Sequence, residues 1–410
     1  MQRVEERFLK YVSFDTQSDE NSSAVPSTEK QFRLAEYLTA ELKELGIEAV
    51  LTDKCYVYAF IKAAEGYESV PALGFIAHLD TSDAASGYNV KPQIIPHWNG
   101  EPITLGGSKI KLTPRPHLAG KTIITTDGTT LLGADDKAGI AAIMTAAERI
   151  VNSPEPHGKI CICFTPDEEI GRGADFFDID FFGADYAYTV DGGAAELIES
   201  ENFNAAGAEV VFKGISAHPG SAKNTMLNAQ KVAMEFYLQL PQNEVPECTE
   251  EREGFFHLTH SDGNVSFFTQ NYIIRDHDAE KFEQRKRVMQ QAADALNAKY
   301  GEETVNVKIR EQYRNMAEVI EKYPFLIEKA VKAISDAGLT PKHNPIRGGT
   351  DGARLSFMGL PTPNLGYGAY NAHSEREYAV VEEMECVVNI IMNIAASFVS
   401  EPPVPRISAK

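Results

Sequence analysis

Residues 164–171 read FTPDEEIG, so that Asp167, Glu168 and Glu169 follow one another directly after the apolar run ICICF. Adjacent carboxylates repel, so such a run is either a solvated loop or part of a site that holds cations. Four other apolar stretches end in the same way. GFIA leads to His78, with Asp80 two residues on; LLGA leads to Asp135 and Asp136; YAYTV leads to Asp191; NLGYGAYNA leads to His373. Singly, each has an ordinary reading as a loop residue or a helix cap. Together they place metal-competent side chains where ligands bind in open α/β sheets, beyond the carboxyl ends of the strands.

Imidazole nitrogen and carboxylate oxygen are donors that suit zinc, and cobalt or manganese would accept the same set. Two cations about 3.5–4 Å apart, sharing one carboxylate, need roughly five protein ligands and leave room for water between them. The chain offers five: His78, Asp135, Glu169, Asp191 and His373. In this reading Asp135 bridges, His78 and Asp191 complete one ion, and Glu169 and His373 complete the other, giving two Zn2+ per subunit. Neighbours on an extended segment point apart, so Glu168 faces the water and serves as general base, passing the proton on to the departing amine. Asp80 is placed to orient the His78 ring and raise its basicity. The spacing therefore points to a two-metal hydrolase of amide-like bonds.

These residues need a scaffold. Residues 2–14 and 28–46 have helical periodicity, the second with a start at Ser27–Lys30, a stripe of Leu34, Leu38, Leu42 and Leu45, and a stop at Gly46. Apolar runs of strand length follow (EAVLT, VYAFIKA, ALGFIAHLD). Residues 82–125 read as short strands and loops decorating the main sheet, and a helix spans about 137–151. KICICFTPDEE and ADYAYTVDGG are further strands with polar ends. Apolar strands separated by helices describe an α/β fold, a mixed sheet flanked by helices. From about 206 to 313 the order becomes β-α-β-β-α-β, a ferredoxin-like α+β insertion of the lid or dimerisation type. Residues 1–205 and 314–410 are then the catalytic domain. The latter part holds one helix through AEVIEKYPFLIEKAVKAISDAG, another over about 382–398, and a loose tail, EPPVPRISAK.

Composition bounds the function. The 410 residues suit two or three domains, and a net charge of −20 argues against nucleic acid or an anionic membrane as partner. The N-terminus lacks the uninterrupted apolar stretch of a signal peptide, and no stretch reads as a membrane span. Five cysteines are sparse for this length, which implies reduced thiols and a cytoplasmic location. Cys161 and Cys163 alternate with isoleucines and are read as sheet packing, not as a metal pair. No GxSxG elbow or glycine-framed cysteine supports serine or cysteine catalysis.

The motifs HLD (78–80), LLGADDKAG (131–139), FTPDEEIGRGA (164–174), VDGG (190–193), HPGSAKN (218–224), YIIRD (272–276) and IRGGTDGA (346–353), with the late His373, resemble the peptidase T family. Those are tripeptide aminopeptidases within the zinc-dependent aminoacylase and carboxypeptidase superfamily. The resemblance runs nearly end to end, and it narrows the amide hydrolase to removal of the N-terminal residue of tripeptides. It implies a non-proline cis peptide after Asp135. It also implies substrate roles for His218, which would help polarise the scissile carbonyl, for Arg275, which would bind a substrate carboxylate, and for Arg347. GYGAYNAHSEREY departs from the family's YNxHGxxEF form while keeping His373. Two rival readings are a related dipeptidase, carboxypeptidase or aminoacylase, and a non-catalytic peptide-binding protein. The expected partner is a small peptide, and the chain is expected to act as a monomer or homodimer.

Overall fold

The computed structural model describes residues 1–106, 109–113 and 115–404. The last six residues of the tail expected to be loose lie outside these. The chain forms two compact units: Met1–Ser200, Met316–Asn344 and Thr350–Lys410 make the first, and Glu201–Asn315 with Pro345–Gly349 the second.

The first unit is built on an eight-stranded mixed sheet. At its centre Leu73–His78 lies between Ile160–Thr165 and Tyr186–Val190, parallel to both. All three strands are buried along their whole length, which is why they read as continuous apolar runs and not as alternating ones. Cys161 and Cys163 are buried here, and all five cysteines are free thiols. Parallel pairing brings three carboxyl ends side by side. Helix Ala134–Val151 packs on Leu73–His78 and on the C-terminal helix Val381–Ser400. Its regular part begins after Asp136, because Asp135 (φ −79°, ψ 105°) and Asp136 (φ −118°, ψ 33°) are not helical.

Several local expectations need correction. Helix Gln31–Glu44 starts later than Ser27, whose hydroxyl and amide are engaged elsewhere. Residues 82–125 do more than decorate the main sheet. Gln93–Ile95 and Ile123–Thr125 join Ala369–Tyr370 and Tyr378–Val380 in a separate four-stranded sheet, around a cluster containing Trp98, Leu112 and Tyr378. The single helix expected after residue 316 is two, Ala317–Ile320 and Pro324–Asp336, because Pro324 has no N–H to continue the first and a φ suited to opening the second. Val381–Ser400 is long and apolar enough to cross a membrane by length and composition, contrary to the reading that no stretch approaches one. Its Met384, Val387, Ile391, Ile394 and Phe398 are buried in the core of the first unit.

The second unit is a four-stranded antiparallel sheet, ordered Phe255–Gly263, Phe267–Asp276, Asn204–Lys213, Val305–Tyr313. Helices Ala229–Gln239 and Ala279–Tyr300 pack against it through Phe236, Phe282, Met289 and Leu296. With the first strand central and the fourth at its side, this is the ferredoxin-like arrangement.

Candidate metal centre

His78 ends its strand, Glu168 and Glu169 follow Ile160–Thr165, and Asp191 follows Tyr186–Val190. Asp135 comes from the loop before the long helix, and His373 from the loop after Ala369–Tyr370. These segments converge. His78 Nε2 lies 2.9 Å from Asp135 Oδ1 and 3.5 Å from Asp191 Oδ1. On the other side, His373 Nε2 lies 3.3 Å from Asp135 Oδ2 and 2.7 Å from Glu169 Oε2. Each Asp135 oxygen therefore faces a different histidine, and each histidine has a second carboxylate beside it. His78, Asp135 and Glu169 can present ligand atoms within 4.8 Å of one another, as can His78, Glu168 and Asp191. His78 is buried, the four acids are half-buried, and His373 is exposed at the rim.

The electrostatics are those of a site rich in negative charge. Burial and the Asp191 charge push Glu168 well above the usual carboxylate range. Burial likewise raises Glu169 and lifts Asp191 to about 7. Hydrogen bonds with Asp135 and Glu169 raise His373 to about 11. Against its own burial, Asp135 is held low by His373 and His78. Glu169 Oε1 is buried without a hydrogen-bond partner. A donor set of two imidazoles and three carboxylates, with one acid facing two ways and one buried oxygen unsatisfied, fits a pair of divalent cations.

The surrounding acids have other work. Asp80 is fully buried; its carboxylate accepts the amide N–H of Glu168 at 2.9 Å and of Glu169 at 3.2 Å. The His78 ring is held mainly by the backbone oxygen of Asp80, 3.0 Å from Nδ1, with the carboxylate at 3.4 Å. Orientation of the ring by the Asp80 side chain is therefore its lesser task. Asp167, with φ +59°, accepts bonds from the Ser27 amide and hydroxyl and from Gln31 Nε2. This ties the N-terminal segment to the turn that carries Glu168. That turn, Glu168–Ile170, is a 3₁₀ turn and not extended chain. Successive side chains diverge because there are three residues per turn, not because of a pleat. Asp136 accepts the His78 amide and the Gly139 amide. The peptide bond between Asp135 and Asp136 is cis.

Residues 127–397 match the profile of peptidase family M20/M25/M40. The chain belongs to that family. It is 52% identical to peptidase T of Clostridium novyi (strain NT) over 402 residues, 96% of this chain and 98% of that one. The figures are the same for peptidase T of Halothermothrix orenii. Among solved structures, aminopeptidase PepT from Bacillus cereus superposes with a TM-score of 0.76 at 23% identity, covering 97% of this chain and 98% of that one. A tripeptidase from Staphylococcus aureus gives 0.78 at 20% identity, covering 98% and 99%. The Bacillus subtilis YXEP protein, described as a dinuclear metal binding peptidase of the M20 family, gives 0.67 at 16%, covering 98% and 99%. The fold of this chain is thus the M20 peptidase fold.

The three residues assigned to substrate lie in the second unit. His218 is exposed, and its Nδ1 accepts the Gly220 amide at 3.1 Å, which leaves Nε2 as the donor of the neutral ring. Arg275 Nη1 donates to the carbonyls of Ala206 and Ile274, and its guanidinium lies over Tyr313. Arg347 Nη1 donates to the carbonyls of Glu251 and Glu253 and Nη2 to Thr249. Its guanidinium stacks on Phe203 and Phe255. The sequence reading put 345–349 in the catalytic domain; these bonds carry the segment into the second unit. Sequence reasoning missed the clamping by Asp136 and Asp167 and gave no role to Glu377. Only their position beside an assigned residue, or a few positions after one, could have drawn attention to them.

Proposed function

We propose that this M20 peptidase is an aminopeptidase that removes the N-terminal residue of tripeptides with the help of two divalent cations, zinc in the first instance. The observation that carries the two-cation reading is the position of Asp135, one oxygen toward His78 and the other toward His373, with Asp191 beside His78 and Glu169 beside His373. The peptidase T and tripeptidase relatives support the substrate class. The cations, when bound, supply Lewis acidity to the scissile carbonyl and stabilise the negative charge that develops on its oxygen.

The chain's own residues do the rest. His78 and Asp191 would hold one ion and Glu169 and His373 the other, with Asp135 available to both. Glu168 takes a proton from the attacking water on its carboxylate and delivers it to the departing amine. Asp80 keeps the Glu168 backbone fixed. His218 Nε2 is the donor assigned to the substrate carbonyl oxygen, and Arg275 the contact for a substrate carboxylate. The peptide is the small-molecule partner.

The test is tripeptide turnover by wild type and Glu168→Gln, with metal content measured in both. The expected loss in kcat is about 10²–10⁴-fold with both ions retained. Equal rates would remove Glu168 from its role. Parallel assays with dipeptides, tetrapeptides and N-acetyl amino acids fix the substrate class, and preference for an acetylated substrate would replace the aminopeptidase reading by an aminoacylase.

A further inference from the structure

Glu377 lies four residues after His373 and is buried, 2% exposed. Both oxygens of its carboxylate are engaged by backbone amides. It reaches back 242 residues in sequence to the loop that carries Asp135. Oε2 accepts the amide N–H of Leu132 at 3.0 Å and of Gly133 at 2.7 Å, and Oε1 accepts that of Asp135 at 2.9 Å. Gly133 sits at φ +76°, a conformation that favours glycine, so this loop is tightly turned where the carboxylate grips it. Glu377 is itself pinned: Thr125 Oγ1 donates to its backbone oxygen and its own amide donates to Ser374. All three bonds go to one short loop, so the carboxylate holds the backbone of that loop in place.

We propose that Glu377 is a positioning residue for the bridging ligand. Its carboxylate fixes the backbone of 132–135 so that Asp135 presents one oxygen to each half of the centre. Because Glu377 and His373 share a short loop, it also sets the distance between the bridging acid and the outermost ligand. The wider pattern supports this. Asp136 grips the His78 amide, Asp80 grips the amides of Glu168 and Glu169, and Glu377 grips that of Asp135. Each ligand-bearing segment in this series is held by a carboxylate from another one. Glu377 ties the series to the His373 loop.

The inference rests on the two-cation reading, and the experiment separates the two. Metal-free wild type and Glu377→Gln are titrated with Co2+, followed by visible absorption, and with Zn2+ against a competing chelator. Gln keeps the volume but turns a donor toward amide donors. The expected result is two ions bound by both proteins, with affinity in the variant weaker by about 10- to 100-fold for each ion, since both share Asp135. A purely structural role would lower the unfolding temperature of the metal-free protein and leave metal affinity alone. Affinities within about threefold of wild type overturn the proposal, since losses of supporting bonds to a ligand are normally larger. Should Glu377→Gln not fold, Glu377→Asp, which keeps the charge and withdraws it by one methylene, is titrated in its place under the same criterion. Wild type that fails to bind two ions overturns the two-cation reading itself, and the wild-type trace alone shows this.

Discussion

Replacing Asp80 by alanine separates two tasks that a single residue performs. The substitution removes the carboxylate but keeps the backbone oxygen that holds His78 Nδ1 at 3.0 Å. What it deletes is the pair of bonds to the amides of Glu168 and Glu169, at 2.9 and 3.2 Å. Hydrogen bonds to a charged group contribute about 1.5–3 kcal/mol each, so the gross loss is about 3–6 kcal/mol. Water entering the space left by the side chain would recover part of this, which leaves about 2–4 kcal/mol. Part of that appears as lower stability of the first unit. The rest appears as freedom of the 168–170 turn, where misplacement of a catalytic group by about 1 Å costs about 100-fold in rate. The expected outcome for Asp80→Ala at saturating metal is a fall in kcat of about 100-fold, or about 2.7 kcal/mol. Metal affinity should fall less, since the ring keeps its backbone partner. Steady-state tripeptide kinetics and a chelator competition on the same preparation give both numbers. If metal affinity collapses while kcat of the metal-saturated variant stays at the wild-type value, the carboxylate acts through the histidine ring and the clamp argument is wrong.

Two further outcomes follow from close contacts elsewhere. A Cβ at Gly139 would overlap the Val190 carbonyl and the Asp136 carboxylate, so Gly139→Ala should lower unfolding stability by about 2–3 kcal/mol or more. Urea unfolding is the check, and an unchanged midpoint would contradict the packing described. Arg347→Lys keeps the charge but loses the fork shared among Thr249, Glu251 and Glu253 and the stack on Phe203 and Phe255. It should cost about 1–3 kcal/mol of stability and leave the tripeptide KM unchanged; a raised KM with unchanged stability would make Arg347 a substrate contact.

The parallel core was legible in the sequence because buried parallel strands are apolar on both faces, and their ends announce themselves by an abrupt change to acid or histidine. GFIAH, ICICFT and YAYTV show this directly. The ferredoxin-like order was legible for a similar reason, since strand signals such as NYIIRD, the latter part of the observed Phe267–Asp276, alternate with helix signals such as the long run from Ala279 to Tyr300. What stayed hidden depends on long-range pairing. Gln93–Ile95 and Ile123–Thr125 pair with each other but have too few residues to show a period, and the other partner of Ile123–Thr125, Tyr378–Val380, is some 250 positions away. Ser27 looked like the start of a helix because serine commonly caps one, whereas its donors are claimed by Asp167 across 140 residues. Such competition is invisible to any local pattern.

The acids around the centre nevertheless sort themselves by one physical criterion, the identity of their donors. Asp80, Asp136, Asp167 and Glu377 each accept backbone amides, and Asp167 side-chain donors as well. Asp135, Glu168, Glu169 and Asp191 accept no amide hydrogen bond among the described residues; their close partners are His78 and His373 where they have one. A carboxylate taken out of water must be compensated. An amide donor compensates it and also fixes a loop, which makes that acid a clamp. An acid left without such donors is compensated by a cation, by a proton or, as at Asp135, by neighbouring imidazoles; burial raises proton affinity at Glu168, Glu169 and Asp191 and also at Asp136, Asp167 and Glu377, so it is the donors and not the proton affinity that separate the two groups. Neighbouring acids of one type, such as Asp135 and Asp136 or Asp167 and Glu168, therefore diverge in function because the backbone reaches one of them and not the other.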